Sequence, residues 1–222
     1  MDVSTLHMLT EDLAAFLSEV SCGDLRVPIP SISGDLGDLY IRLLDRNERL
    51  VTTITGEVIA GPRSAPRCRA DLEAAADSYG DCGLEAGYRH SASLVENALI
   101  SAHKQHSPSR DRVRVTNLAM IYEAQISHTV IHTWDIAQAL GLSYKPIPGM
   151  ARQVLRNILL PSTQSDVSSC LDADVKVAVD DTGIFDCVLR LSGRLVPTGG
   201  SSSFVSAAAP AAIPSRLSSS VV

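Results

Sequence analysis

The sequence predicts an all-α fold, an antiparallel four-helix bundle with a short extra helix. Three observations carry this. The 222-residue chain is 45% hydrophobic but only 4% aromatic, so its core must be mostly Leu, Ile, Val and Ala, a mix that suits helices better than a β-sandwich. Apolar residues recur at helical spacing over several long stretches. Gly and Pro punctuate the segments between them.

The first helix is expected from about Thr5 to Ser21, with Leu9, Leu13, Phe16, Leu17 and Val20 in register and Cys22-Gly23-Asp24 as the stop. Val27-Pro28-Ile29-Pro30 should be extended, because a residue before proline is pushed out of the α region. Ser31 to Asp35 carries capping chemistry for a second helix reaching about Thr53. Leu36, Leu39, Tyr40, Leu43, Leu44 and Leu50 form its apolar side. Asp38/Arg42 and Asp45/Arg49 are spaced as i,i+4 ion pairs on another side.

Residues 56–67 read as a loop, and Asp71 to Ser78 as a short helix. A third long helix is expected from about Tyr88 to Gln105 and a fourth from about Asn117 to Leu140, with Gly141 as its stop. A further helix spans about Gly149 to Leu160. Val175 to Val179 alternates like a lone strand or half of a small hairpin, and Phe185 to Leu191 is a short apolar segment of either type. The bundle domain is thus expected over residues 1–197. Residues 198–222, rich in Ser, Ala and Pro, form a tail expected to be disordered, since it cannot bury enough apolar surface to offset its ordering entropy.

Composition narrows the function classes. The formal net charge is -6 and the pI near 5.4, with no clustered basic face for nucleic acid. No apolar run approaches the ~20 residues needed to cross a bilayer. Cys22, Cys68, Cys82, Cys170 and Cys187 are scattered, odd in number and without CxxC spacing, as expected of free thiols. A cytoplasmic protein, monomeric or homodimeric, acting on a small molecule without nucleic acid or membrane partners, is the expectation.

The chemistry concentrates on the fourth long helix. Gln125, His128, His132 and Asp135 follow an i, i+3, i+7, i+10 spacing and make one narrow stripe, with Trp134 on the flank. Glu123 and Asp135 are the only charged residues between 118 and 142, which favours a wet seam inside the bundle over a solvent face. Two histidines four apart can share a metal ion or a proton, or act as a general base; a pair of hydrogen-bonded core histidines is the structural alternative.

The stretch His128-x-x-x-His132-Thr133-Trp134-Asp135-Ile136-Ala137-Gln138-Ala139-Leu140-Gly141 resembles the signature helix of the DinB/YfiT-like superfamily. It is most similar to the branch holding the N-terminal domain of mycothiol-dependent maleylpyruvate isomerases and related actinobacterial metal-binding proteins. Asp38-Leu39-x-x-Arg42-Leu43-x-x-x-Asn47 resembles that branch's second helix, Tyr88 to Leu99 its third, and Ser192-Gly193-Arg194 part of its closing segment. The resemblance implies a helical bundle, a divalent metal such as zinc or nickel, and a low-molecular-weight thiol as cofactor. Its three metal ligands would fall at position 42, His128 and His132. Position 42 is arginine, which has no lone pair for a cation. The family's tryptophan before the second helix would fall near Gly34.

The expected function is therefore isomerisation, cyclisation or group transfer on an electrophilic carbonyl or unsaturated metabolite in bacterial specialised metabolism. In a metal-free form, His128 or His132 serves as general base, Asp135 orients it, and Arg42 or Tyr40 stabilises developing negative charge. Trp134, Asn47 and Gln125 are candidates for substrate binding. With a metal, His128 and His132 are ligands and the third is unidentified. A non-catalytic ligand-binding protein on a degenerate site is the remaining alternative.

Overall fold

The computed structural model describes residues 2–56, 68–78, 83–105, 112–159 and 181–194. Among them the chain is all-α. Its helices are α1 (Ser4–Ser18), α2 (Leu36–Thr55), α3 (Arg69–Ala76), α4 (Leu84–Gln105), α5 (Arg112–Ala139), α6 (Met150–Leu159) and α7 (Asp181–Leu191), with one 3-10 turn at Asp24–Arg26. No helix among the described residues is long and apolar enough to cross a membrane. The Val175 to Val179 segment and residues 198–222 lie outside the described residues, as do His106, Cys82 and Cys170.

The four long helices bury the leucine-rich faces that the spacing predicts. Helix α1 packs against α4 and α5, and α2 packs against α4; α6 lies on α5 and carries α7. Two apolar clusters result. One gathers Leu6, Leu99, Ile126, Val130, Val154 and Val188 from α1, α4, α5, α6 and α7. The other gathers Leu13, Leu17, Leu39, Leu43, Tyr88 and Ile136 around the opposite part of α1 and α2.

Helix α2 begins on a capping box. Asp35 accepts from the Asp38 amide at 2.9 Å, and the Asp38 carboxylate accepts from the Asp35 amide at 3.2 Å. The cap already holds Asp38, so the anticipated Asp38/Arg42 ion pair does not form; Arg42 instead donates to the Ser33 carbonyl at 3.2 Å. Helix α2 stops at Gly56 and α5 at Gly141, both at positive φ (74° and 68°).

The boundaries differ from the sequence reading in instructive places. Helix α1 ends at Ser18 instead of continuing to Ser21, because the Glu19 and Val20 amides turn back to the Phe16 and Leu17 carbonyls in tight i→i−3 bonds. Helix α4 starts at Leu84, one turn earlier than expected, and so takes in Gly87. A side chain there would collide with the Tyr40 hydroxyl, 2.6 Å from where a Cβ would sit. Helix α5 starts at Arg112 instead of near Asn117. The apolar segment Phe185 to Leu191 proves to be most of α7, with Phe185, Val188 and Leu189 on its buried side at helical spacing.

Two connections matter for the site. Residues 27–35 fold back on themselves: the Ile29 amide donates to Gly34 and the Leu36 amide to Val27, both at 3.0 Å. This hairpin-like strap carries Ser31 to α5. After α7, Gly193 adopts φ 81°, and the Arg194 amide caps Leu189 at 2.9 Å. That left-handed turn sends the Arg194 side chain back to α5.

Candidate functional site

The polar stripe of α5 faces protein over its whole length, and each of its members meets a different segment. At its N-terminal end Gln125 is buried. Its amide donates to Asn47 at 3.0 Å, and its carbonyl oxygen accepts from Arg46 Nε at 3.3 Å. Asn47 in turn donates to Ser91 at 2.9 Å. This chain ties α5 to α2 and α4, and it uses both ends of both amides. Gln125 and Asn47 therefore hold the seam closed, instead of offering free groups to a substrate.

At the C-terminal end Asp135 is 1% exposed at its side chain. Its Oδ1 accepts from Ser31 at 2.9 Å and from Arg194 Nε at 3.2 Å. Its Oδ2 accepts from Arg194 Nη2 at 2.7 Å and from His132 Nδ1 at 3.0 Å. The Arg194 fork is bidentate, the strongest geometry for this pair. Burial alone would raise the Asp135 carboxyl, but the hydrogen bonds from His132 and Arg194, with their charges, outweigh it and hold the group below its ordinary value. With four donors on two oxygens, Asp135 stays ionised and positions its neighbours.

The histidines lie between these two anchors. His128 Nδ1 faces His132 Nε2 at 3.5 Å, the outer limit of a hydrogen bond. The protons follow from the partners. Asp135 can only accept, so His132 turns an Nδ1 proton to it, and the neutral tautomer with that bond has a bare Nε2. His128 then turns a protonated Nδ1 towards that lone pair, and its own Nε2 is bare. Burial, with the charges of Arg46, His132 and Arg194 adding to it, pushes the His128 pKa down to about 3, so it is neutral at physiological pH. The result is a line of groups, Arg194–Asp135–His132–His128, that resembles the orienting logic of a catalytic triad without its nucleophile.

Other expected residues stand apart. Arg42 is exposed and its guanidinium is on the Ser33 carbonyl, so it does not join the histidines. Tyr40 is buried in the second apolar cluster and donates its hydroxyl to the Leu84 carbonyl at 3.0 Å. Burial, followed by the charge of Glu85, raises that phenol. Neither residue can stabilise charge at the histidine pair. Trp134 is half-buried and helps line a cleft of about 320 Å³, along with Val27, Ile29, Pro30, Asp135 and Arg194. The cleft opens beside the Asp135 end of the stripe.

Three functional-looking residues escaped the sequence reading. Arg46 is one turn along from Arg42 on the same side of α2 and reaches Gln125 across the seam, a contact that the i,i+4 spacing does not signal. Arg194 and Ser31 reach Asp135 from 59 and 104 positions away, and no local pattern signals that.

The metal set implied by the family resemblance fits this geometry only in part. An ion held ~2 Å from two nitrogens in tetrahedral geometry sets them roughly 3.3 Å apart, close to the 3.5 Å between the imidazoles. The third ligand fails. Position 42 is a guanidinium pointing elsewhere, and no group of three His, Cys, Asp or Glu side chains converges among the described residues. Two further guanidiniums, Arg46 and Arg194, bias the local field against a cation. The donors among the described residues do not make up a three-ligand site.

No protein-family model, no curated protein and no solved structure matches the chain.

Proposed function

We propose that the protein is a small-molecule enzyme of the DinB-like kind that moves a proton on an electrophilic carbonyl or unsaturated substrate, giving isomerisation, cyclisation or group transfer. The carrying observation is the aligned His128, His132 and Asp135, with Asp135 saturated by four donors. His128 Nε2 takes a proton from a carbon acidified by a neighbouring carbonyl. The Nδ1 proton of His128 passes to His132 Nε2 as it does so. The positive charge then rests on His132, beside the Asp135 carboxylate, and not on the desolvated His128 ring. Reversal of the same steps at a second carbon completes an isomerisation, with no net gain or loss of protons. The protein is proposed to act in the cytoplasm as a monomer or homodimer.

The test is solvent exchange. Purified protein is incubated in deuterium oxide with a panel of enolisable and α,β-unsaturated carbonyl compounds, and label is followed by proton NMR. Incorporation is expected with wild type and lost in both His128→Ala and His132→Ala. Incorporation that is equal in wild type and both variants would refute the reading.

A second reading keeps a divalent ion between the imidazoles, favoured by their 3.5 Å spacing. Such an ion would lower the pKa of a bound water or low-molecular-weight thiol. Elemental analysis of protein purified without added metal tests it: stoichiometric zinc or nickel that disappears in His128→Ala would favour this reading over the relay.

A further inference from the structure

We infer that Arg46 and His128 form a subsite for one carboxylate of the substrate, so that the ligand is a small organic monoanion. The inference rests on the proposed function and goes further by assigning the chemical class of the substrate. Arg46 is half-buried, yet among the described residues its guanidinium makes one hydrogen bond, Nε to Gln125, and no ion pair. Arg26, Arg69, Arg89, Arg152 and Arg194 each meet a carboxylate. A partly desolvated guanidinium without an acid is costly, and a bound anion is the usual compensation.

The geometry selects the anion. Gln125 holds Nε and so fixes the plane of the guanidinium, whose two terminal nitrogens make no hydrogen bond among the described residues. Two parallel donors match the two oxygens of a carboxylate. Gln125 and His128 are three apart on the same stripe of α5, so the guanidinium held by Gln125 lies on the His128 side of the helix, near enough for its charge to act on that ring. The charges also count to one. Arg194 and Asp135 cancel within their bidentate pair, and His128 is neutral, so among the described residues around His128, Arg46 leaves a single uncompensated positive charge. A phosphate dianion would be undercompensated by this single charge. A carboxylate on Arg46 would lie next to the proton-accepting histidine and hold the acidic carbon of the same molecule within its reach.

The experiment uses the full chain and three probes: crotonate, its neutral isostere crotonamide, and inorganic phosphate. Binding is measured by calorimetry and by the imidazole nitrogen resonances of His128. Crotonate is expected to bind saturably and to shift His128. Crotonamide should bind at least about tenfold more weakly, as should crotonate to Arg46→Gln. Arg46→Lys, which keeps the charge but not the fork, should fall in between, and it serves as a folding control for the glutamine variant. The inference is overturned if crotonate fails to bind saturably, if crotonamide or Arg46→Gln matches it, or if phosphate binds more tightly. Crotonate binding through Arg46 together with unchanged deuterium exchange in the histidine variants would refute the proton relay and leave the carboxylate subsite standing.

Discussion

Mutation of His128 to Gln should flatten the acid dependence of stability. The His128 pKa lies at about 3 in the folded protein, against the ordinary histidine value of 6.5. A histidine held neutral by the fold favours unfolding as pH drops, because the unfolded chain takes up a proton that the folded chain refuses. The loss therefore begins as pH falls through the unfolded value and continues down towards the folded one. Within that window the slope is about 1.4 kcal/mol per pH unit, so that from about pH 7 to pH 4 the contribution reaches ~3 kcal/mol. That is a substantial part of the 5–15 kcal/mol of an ordinary domain, taken as an order of magnitude. The groups facing His128 are His132 on its own helix, Arg46 from α2 and Arg194 after α7. All three disfavour its protonation. Asp135 also destabilises in acid, since its carboxyl is held low in the fold, and that loss begins as pH falls through the ordinary carboxylate range, at the acid end of the histidine window; it is common to both proteins and drops out of their difference. Urea unfolding followed by circular dichroism across this window, for wild type and His128→Gln, isolates the effect as a difference of slopes. Any constant cost of the substitution cancels. Parallel pH profiles would refute the reasoning.

Two further outcomes concern the framework around the site. Replacing Arg194 by Met leaves a buried carboxylate without its bidentate partner and should cost roughly 3–5 kcal/mol, read as a fall in melting temperature, with Arg194→Met/Asp135→Asn recovering part of it; an unchanged melt would mean that the Asp135–Arg194 pair does not hold the C-terminal turn. Gly87→Ala places a Cβ 2.6 Å from the Tyr40 hydroxyl and should cost roughly 1–3 kcal/mol, relieved by combining it with Tyr40→Phe; thermal melts of the single and double variants check this.

The parts of this molecule legible from sequence were those written in local periodicity. Leu39, Leu43 and Leu44 announce α2, and the Gln125 to Asp135 stripe announces a seam on α5. The capping role of the 31–35 segment and the stop at Gly141 follow from backbone chemistry that acts over a few residues. Arg42 shows the limit of the same logic. Its i,i+4 relation to Asp38 is real, but Asp38 sits at the third position of the helix, where the capping box claims its carboxylate first. Arg194 and Ser31 were invisible for a different reason. Their contact with Asp135 is made by a left-handed turn at Gly193 and by the folding back of residues 27–35. Neither geometry has a period to read, and each depends on where α7 and α2 come to rest.

The hydrogen bonding of the stripe on α5 sets the histidines apart from their neighbours. Buried polar atoms are tolerated when their hydrogen-bonding capacity is filled. Gln125 and Asn47 fill theirs against each other, Arg46 and Ser91. Asp135 fills its own against Ser31, Arg194 and His132. Five separate segments converge to achieve this, which fixes the two ends of the stripe. Between those ends stand two imidazoles whose mutual contact is at the limit of hydrogen bonding and a guanidinium whose terminal nitrogens are unpaired among the described residues. Their incomplete satisfaction, inside a frame that is otherwise fully satisfied, is what a binding site needs before its ligand arrives: fixed positions, and unfilled bonds directed at one place.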